Sequence, residues 1–373
     1  MKLETFIHLL ACPVTKRSLS ITELHNGDSK YDLISIPRRG TETEALGPTE
    51  RVIAVEGRST AFPVIEDFPV LLAPEMLINR CDENEWGTID LQDPKYAEAY
   101  EEMKFYNTVG DEKIKSISAK TVNSIMGPLL SLHNDISSIA DGFPEPAEIW
   151  IDARHDTLSQ YQAYRYLAPI NDKVFVQLGG SGSHAVKALL AGAKQAFLLT
   201  PMLGEARYAM RLAENFNVSH RLACVLGVGE ELPFVSGSID LVYSGGCFHH
   251  MRLDHVASEL HRILRVGGRF SGVDPWKTPL HTLGTKVIGK RETSVYCKPI
   301  TEERLAPIRA QFHDMIVCRH GPLLRYFLLA LEKAGLKLSI STMMKVMRFD
   351  DLLGRPFRLT EKYGGSLVVA GTK

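Results

Sequence analysis

The stretch from residue 174 to residue 273 constrains the fold more than any other part of this 373-residue chain. It opens with an apolar run, VFVQL, which leads into a glycine and serine turn, GGSGS, and then into a helical pattern, HAVKALLA. Strand and helix patterns then alternate at even spacing. This alternation is typical of a parallel, doubly wound α/β sheet. A tight glycine turn between a strand and a helix brings backbone N–H groups close to a nucleotide-like ligand.

The periodicity of apolar residues gives a boundary to each element of this core. The predicted strands are Val174–Leu178, Ala196–Thr200, Leu222–Leu226, Ile239–Tyr243 and Arg269–Val273. The predicted helices are His184–Ala191, Leu203–Phe216, and one with Leu253, Val256, Leu260, Ile263 and Leu264 on its apolar face, which Gly267 and Gly268 end. Later segments predict a helix over GPLLRYFLLALEKAG followed by a strand, and a last strand in YGGSLVVAGTK that completes seven.

The chain divides into three parts by pattern. Residues 1–75 predict a small α+β module, with a short helix that Pro13 ends and then several short strands. Residues 76–150 predict a helical connector with a turn at DGFPEP. Residues 151–373 hold the sheet, with a helix that carries Tyr161, Tyr164 and Tyr166 before the first core strand. The segment 277–320 is longer than a direct connection requires, and we expect it to form a lid.

Composition limits the classes of partner. A formal net charge of −1 and a pI near 6.9 give no support for nucleic acid as the main ligand. The six cysteines are scattered without a C-x-x-C pair, which is typical of reduced thiols in a cytoplasmic protein. The apolar run FIHLLACPV does not fit a signal peptide, and no run reaches the roughly 20 residues of a membrane span. We therefore expect a cytoplasmic protein with no membrane partner.

Four segments in order resemble class I S-adenosylmethionine (SAM) dependent methyltransferases of the ubiquinone and menaquinone biosynthesis type. They are the glycine turn at 179–182, GVGEELPFVSGSIDLVYS, CFHHM, and ELHRILRVGGRFSGVDP. The resemblance covers about 100 residues and implies a Rossmann-like, mostly parallel seven-stranded sheet whose last strand is antiparallel. It also implies SAM as the cofactor and methyl transfer to an O, N or C atom of a small molecule.

The resemblance assigns cofactor-binding positions residue by residue. They are Gln177, Gly179, Gly180, Gly182, Thr200, Met202, Val228, Gly229, Glu230 and Ser244. Family members usually carry acidic residues where this chain has Gln177, Thr200 and Val228, and charge-assisted hydrogen bonds are roughly twice as strong as neutral ones. Ser181 and Ser183 also stand where glycine is usual. Two interpretations stay open: an enzyme with rerouted contacts to SAM, and a fold that has lost SAM and acts as a scaffold, partner or site of other chemistry.

The candidate catalytic residues are His249, His250 and Asp274, which the resemblance places where cofactor and acceptor meet. Histidine titrates near neutral pH and suits removal of a proton from a hydroxyl or amine. A structural role for the histidine pair, as the cap of a turn, is the alternative. Cys247 has no activating neighbour in sequence, so we expect a packed thiol. The spacing of His281, His313 and His320 fits no metal cluster, so we predict no metal site.

The N-terminal segments LLACPVTKRSL and FPVIEDFPVLL resemble the small zinc-ribbon-like activator subunit of tRNA and protein methyltransferases. Thr15 stands where zinc-binding relatives have a second cysteine, and zinc needs four N or S ligands. We therefore expect a module without zinc. It is a candidate for packing, for homodimer formation, or for binding a partner or substrate; a tRNA partner would require a local basic surface.

Overall fold

The computed structural model describes residues 1–23, 32–33, 51–72, 108–110, 112–115, 154–279, 298–336, 338–357 and 359–373. The expected turn at DGFPEP, His281, and nearly all of the predicted connector and the first half of the expected lid lie outside the described residues. Within these ranges no helix is long and apolar enough to cross a membrane. Nor do three or more His, Cys, Asp or Glu side chains come together there as metal ligands.

A seven-stranded sheet forms the centre of the molecule and confirms the predicted α/β, mostly parallel fold. Its strands are β6 (Val174–Leu178), β7 (Gln195–Thr200), β8 (Leu222–Leu226), β9 (Ile239–Gly245), β10 (Leu264–Pro275), β11 (Ile316–His320) and β12 (Ser366–Thr372), in the spatial order β11-β12-β10-β9-β6-β7-β8. The pairs of β6, β7, β8, β9 and β10 are parallel, whereas β12 is antiparallel to both of its neighbours. The carboxyl ends of the parallel strands therefore lie along one edge.

Helices cover both faces of the sheet. They are α1 (Thr157–Leu167), α2 (Ser183–Leu190), α3 (Leu203–Asn215), α4 (Leu253–Ile263), α5 (Glu302–Gln311), α6 (Leu324–Lys333), α7 (Ile340–Gly354) and α8 (Leu359–Tyr363). Helices α1, α2 and α3 contribute to one apolar core and α4 and α5 to the other, and the N-terminal module contributes to both. Parallel strands covered on both faces are apolar throughout, which is why β8 reads as a continuous run of buried residues.

The N-terminal module contains a sheet of β1 (Leu19–Glu23), β2 (Asp32–Leu33), β3 (Arg51–Val55), β4 (Thr60–Ile65) and β5 (Phe68–Pro69). Its backbone bonds to the main domain at several places. The N–H of Leu71 donates to the carbonyl of Leu226 at 2.8 Å, and that of Val235 donates to Leu9 at 2.9 Å. Phe6 packs edge to face on Phe197, with ring centroids 5.7 Å apart. The module and the main domain therefore share one hydrophobic core.

Ion pairs add to this contact. The ammonium of Lys16 lies 3.0 Å from Glu231 and 2.8 Å from Glu259, and Arg262 bonds to Glu259 at 2.7 Å. Lys16 belongs to the module and the carboxylates to the main domain, so the network crosses the interface. The groups are partly buried, so salt screens them less than an exposed pair.

Three sequence-based expectations about secondary structure are wrong. The first segment forms two short 3-10 helices, Leu3–Thr5 and Ile7–Leu9, before Leu10 bridges to Phe234. Gly267 and Gly268 lie inside β10 and do not end the preceding helix, because Leu264 already pairs with Ile239 and a register shift follows it. The strand predicted after Gly335 is not found among the described residues there, since residues 340–354 form α7.

Phe6→Ala tests the shared core. Phe6 is buried against Phe197, so truncation should lower the free energy of unfolding of the whole chain by about 3 kcal/mol, within the range for buried phenylalanine. Urea unfolding followed by both fluorescence and circular dichroism should show one shifted transition. The exposed Val14→Ala is the matched control and should change little. A separate early transition with an unshifted main one would contradict a shared core.

Candidate active site

The turn after β6 begins the site. Gly179 and Gly180 have φ angles of +67° and +71°, which L side chains rarely adopt. A Cβ on Gly179 would lie 2.5 Å from the sulfur of Cys247, so the turn approaches the end of β9 too closely for a larger residue. The side chain of Gln177 braces the turn: its amide N–H donates to the Gly179 carbonyl and its oxygen accepts from the N–H of Ala185, both at 2.8 Å. The polar atoms of Gln177 are thus already used by the backbone.

A buried carboxylate, Glu205, stands beside the end of β7. Thr200 occupies the last position of that strand, and its hydroxyl donates to Glu205 at 2.6 Å while accepting from the N–H of Met202 at 3.2 Å. Burial raises the pKa of Glu205, while the bond from Thr200 and the charge of Lys113 oppose that rise. The first turn of α3 therefore places a carboxylate beside the end of β7.

Glu205 and the glycine turn line one cavity of about 260 Å³. This volume is close to the lower end of ligand pockets, which run from roughly 300 to 1,000 Å³. The lining residues are Val109, Gly110, Lys113, Gln177, Gly180, Ser181, Ser183, His184, Glu205 and Gly245. Residues 108–110 and 112–115 are helical, and Val109, Gly110 and Lys113 among them line the cavity, with Gly110 packed directly on the backbone of Gly204.

Two aromatic rings pack against His184, which lines the cavity. Tyr164 stacks on Tyr243 with centroids 4.9 Å apart, and its hydroxyl is hydrogen-bonded to Nδ1 of His184. The ring of His184 lies 4.6 Å from that of Tyr243. Tyr164 is buried and belongs to the apolar core. His184 belongs to the cavity wall, although the sequence pattern marked it only as the first residue of a helix.

The loop after β8 is apolar where family members carry an acid. Val228 packs against the core, and a Cβ on Gly229 would lie 2.5 Å from the sulfur of Met251. Glu230 accepts the N–H of Arg252 at 2.9 Å and so joins this loop to the start of α4. This hydrogen bond holds the loop after β8 against the chain that follows the turn Phe248–His250.

His249 and Asp274 form the clearest chemical unit at the edge of the sheet. One oxygen of Asp274 accepts both the backbone N–H of His249, at 2.9 Å, and its ring Nδ1, at 2.8 Å. Asp274 is almost fully buried near the end of β10, and the His249 side chain is 13% exposed. A carboxylate on Nδ1 fixes the tautomer and leaves Nε2 as the proton acceptor, the arrangement that prepares a histidine as a general base.

His250 lies in a different environment. Its ring centroid is 4.0 Å from that of His249. Burial, together with the smaller effects of the charges of His249 and Arg304, lowers the pKa of His250 to about 3. Arg304, from α5, donates to the carbonyls of Met251 at 2.8 Å and Phe248 at 3.3 Å. His250 therefore stays neutral at neutral pH, and Arg304 holds the turn that carries both histidines.

Two buried polar atoms near this unit have no hydrogen-bond partner among the described residues: the second carboxylate oxygen of Asp274 and the hydroxyl of Ser244. Burying an unsatisfied polar group costs about 1–3 kcal/mol, so such atoms are rare outside sites that receive a ligand or water. Burial raises the pKa of the Cys247 thiol, and the charge of the nearby Asp274 is the second largest cause of that rise. The raised pKa keeps Cys247 as the neutral thiol, which is a weak nucleophile.

The structure brings some predicted residues together and sets others apart. Gln177 and Gly180 line the cavity, and Thr200 reaches it through Glu205. Gly182 lies away from the cavity lining, since a Cβ there would meet Ala209 at 2.4 Å, and Met202 caps α3. Sequence reasoning missed Glu205, Lys113 and His184. An acid five residues after the strand end was the available signal for Glu205.

The fold and the site define the class: an α/β domain with an antiparallel β12 between β10 and β11 and a glycine turn at the carboxyl edge. Residues 177–272 match the model of a family described as a methyltransferase domain. A protein of Synechocystis sp. named as an uncharacterized methyltransferase is 42% identical over 53 residues, 13% of this chain. The match spans only a quarter of that relative's length.

Solved structures resemble this chain more loosely. One is the geranyl diphosphate C-methyltransferase of Streptomyces coelicolor with S-adenosyl-L-homocysteine, at 15% identity, 63% of this chain, 84% of that chain and a TM-score of 0.43. Another is a phosphoethanolamine methyltransferase 2 of Haemonchus contortus, at 18% identity, 57% of this chain, 51% of that chain and a TM-score of 0.42.

The pKa of His250 predicts acid sensitivity. Since the folded protein keeps His250 neutral to about pH 3 while the unfolded chain binds a proton below about pH 6.5, stability should fall as pH decreases through this window. His250→Gln should shrink the loss of unfolding free energy between pH 7 and about pH 4.5 by on the order of 2 kcal/mol. Urea unfolding at both pH values measures it, with the exposed His313→Gln as the control. An unchanged difference would show that His250 is not buried as a neutral ring.

Proposed function

We propose that this chain is a SAM-dependent methyltransferase whose small-molecule acceptor offers a hydroxyl or amine, with His249 as the general base. The observation that carries the proposal is the pair of hydrogen bonds from His249 to a single oxygen of Asp274 at the carboxyl edge of the sheet. A base is useful where the nucleophile must lose a proton, which favours oxygen and nitrogen acceptors over carbon. The match of residues 177–272 to a methyltransferase domain supports the reaction class.

Two residues of the cavity fit two parts of SAM, its ribose and its carboxylate. Glu205 offers a carboxylate for hydroxyl groups of a ribose, and Lys113 offers a cation for a carboxylate. Gly180 exposes backbone at the turn, which suits the close approach of a ligand. Val228 packs against the core and offers no acid for the adenine amino group. When bound, SAM supplies a methyl group already activated on a sulfonium.

The chain's own residues then position and deprotonate the acceptor. Asp274 orients His249, so that Nε2 takes the proton of the attacking hydroxyl or amine, and the paired carboxylate stabilises the imidazolium that results. The second oxygen of Asp274 lacks a partner among the described residues and can accept a further donor from the acceptor. Holding the nucleophile in line with the methyl group accounts for the remaining catalysis.

The scaffold alternative is supported by a specific observation. Both polar ends of the Gln177 side chain bond to the backbone, and the loop at Val228 presents no acid, so two contacts usual in the family are missing. A domain without SAM would keep the same fold. Binding of the demethylated product, S-adenosylhomocysteine, separates the two functions.

The N-terminal module has a proposed packing role. The N–H of Thr15 donates to the sulfur of Cys12 at 3.4 Å and Lys16 has a φ of +58°, a compact turn that supports the likeness to a zinc-ribbon activator. The hydrogen bonds of Leu71 and Val235 fasten the module beside β8. Homodimer formation through the module and a cytoplasmic location stay predictions.

S-adenosylhomocysteine should bind the purified chain in calorimetric titration, and Glu205→Gln should weaken binding roughly tenfold to hundredfold, because a charged hydrogen bond is lost. Since burial raises the pKa of Glu205, the affinity of the unsubstituted protein should increase as pH rises through that pKa. Glu205→Gln should not lower the stability of the free protein, since it removes a buried charge.

The exposed Glu214→Gln, on the same helix, is the matched control and should bind normally. If neither SAM nor S-adenosylhomocysteine bound at millimolar concentration, the enzyme proposal would fail and the scaffold alternative would stand. Equal affinity of Glu205→Gln and the unsubstituted chain would remove Glu205 from the cofactor site.

His249→Ala should abolish most methyl transfer while S-adenosylhomocysteine still binds. General base catalysis contributes roughly 10²–10⁴-fold, which sets the size of the loss. Incubation with methyl-labelled SAM and a small-molecule extract, followed by separation of labelled products, measures transfer whichever molecule in the extract is the acceptor. His220→Ala, exposed and distant from the turn, is the control. Undiminished labelling by His249→Ala would exclude it as the base.

A further inference from the structure

Helices α6 and α7 expose an unusual amount of apolar surface. Leu323, Phe327, Phe349, Leu352 and Leu353 are all between 44% and 60% exposed. On α7 the exposed apolar residues recur three and four positions apart, so they lie along one face of the helix. Scattered exposed apolar residues are ordinary, whereas a cluster of large ones marks a site of interaction.

The apolar residues of the two helices are neighbours in space. The carboxylate of Asp350, on α7, accepts the N–H of Leu323 at 3.2 Å and that of Leu324 at 2.8 Å. A Cβ on Gly354 would lie 2.9 Å from Pro322. The end of α7 therefore packs against the start of α6, and their exposed residues form one surface. We call the five apolar residues, with Lys345 and Arg348, the α6–α7 surface.

The charges of α7 are sorted by sign. Its four charged residues are Lys345, Arg348, Asp350 and Asp351. Both aspartates are buried, where Asp350 binds the amides at the start of α6 and Asp351 pairs with His320. Lys345 and Arg348 are exposed on the same face as Phe349 and Leu352. The outward face of α7 is therefore cationic and apolar, with its acids turned inward.

The surface lies at the edge of the sheet that carries the candidate active site. His320, at the end of β11, and Pro275, at the end of β10, both pair with Ser366, so α6 begins beside the strand end that holds Asp274. The hydroxyl of Tyr326, on α6, lies 3.1 Å from that of Thr278. The α6–α7 surface thus adjoins the segment that follows Asp274.

We propose that the α6–α7 surface binds the surface of an anionic phospholipid bilayer. Leucine and phenylalanine side chains on one face enter the boundary between headgroups and acyl chains, and neighbouring lysine and arginine side chains are attracted to anionic headgroups. The complementarity of charge selects a lipid surface over a second copy of this chain, since a copy would bring Lys345 and Arg348 against themselves. The proposal departs from the sequence-based expectation of no membrane partner, which considered only spanning segments.

Vesicle co-sedimentation of the full chain tests the proposal. The protein should sediment with vesicles of phosphatidylcholine and phosphatidylglycerol, less with phosphatidylcholine alone, and less again at high salt. Phe349→Ser combined with Leu352→Ser should weaken binding at least tenfold, through the loss of buried apolar area. Lys345→Gln and Arg348→Gln should each weaken binding to the anionic vesicles about fivefold.

Val266→Ser is the matched control, because Val266 is 88% exposed but lies near the opposite end of β10. It should bind vesicles like the unsubstituted chain. No sedimentation with anionic vesicles, or an equal loss in Val266→Ser, would overturn the proposal. The proposal would also be overturned if analytical ultracentrifugation showed a dimer that the Phe349 and Leu352 substitutions dissociate. The surface would then join two copies of the chain. S-adenosylhomocysteine binding is measured on the same variants, so failure of the methyltransferase proposal is read separately.

Discussion

The site depends on the parallel pairing among the five neighbouring strands β6, β7, β8, β9 and β10. Parallel strands must all begin at one edge and end at the other, so the glycine turn, Thr200, Ser244 and Asp274 meet although nearly 100 residues separate the first from the last. Side chains alternate between faces along each strand, so only the terminal positions reach the edge. Chemistry concentrates there because backbone amides at strand ends have no strand partner to bind.

Within that edge, polar groups are divided between support and function. Gln177 and Glu230 bond to backbone amides and keep their loops in place. Three other polar groups are buried at a greater cost in free energy. Burial raises the pKa of Glu205. The hydroxyl of Ser244 and the second carboxylate oxygen of Asp274 lack hydrogen-bond partners among the described residues. Groups held at a cost in free energy are the ones that a ligand would stabilise, which separates them from residues that merely complete the fold.

The order of strands and the glycine turn could be predicted from sequence because apolar periodicity and turn residues are local signals. The boundaries of β6 and β8 are as predicted. The prediction of a strand after Gly335 was wrong because residues 340–354 form a helix. Met343, Met344 and Met347 recur at helical spacing there and pack on Leu158 and Leu328. The family motif does not mark the position of Glu205, and its spacing of five residues from the end of β7 was the one sequence signal for it.

The connection between the active-site edge and the α6–α7 surface follows from the same topology. Because β12 runs antiparallel between β10 and β11, the two outer strands are parallel to each other and end side by side. The chain leaving β10 and the chain leaving β11 must therefore pack together, as Thr278 and Tyr326 do. A surface built on α6 therefore cannot move far without moving Tyr326 and, through it, the segment that follows Asp274.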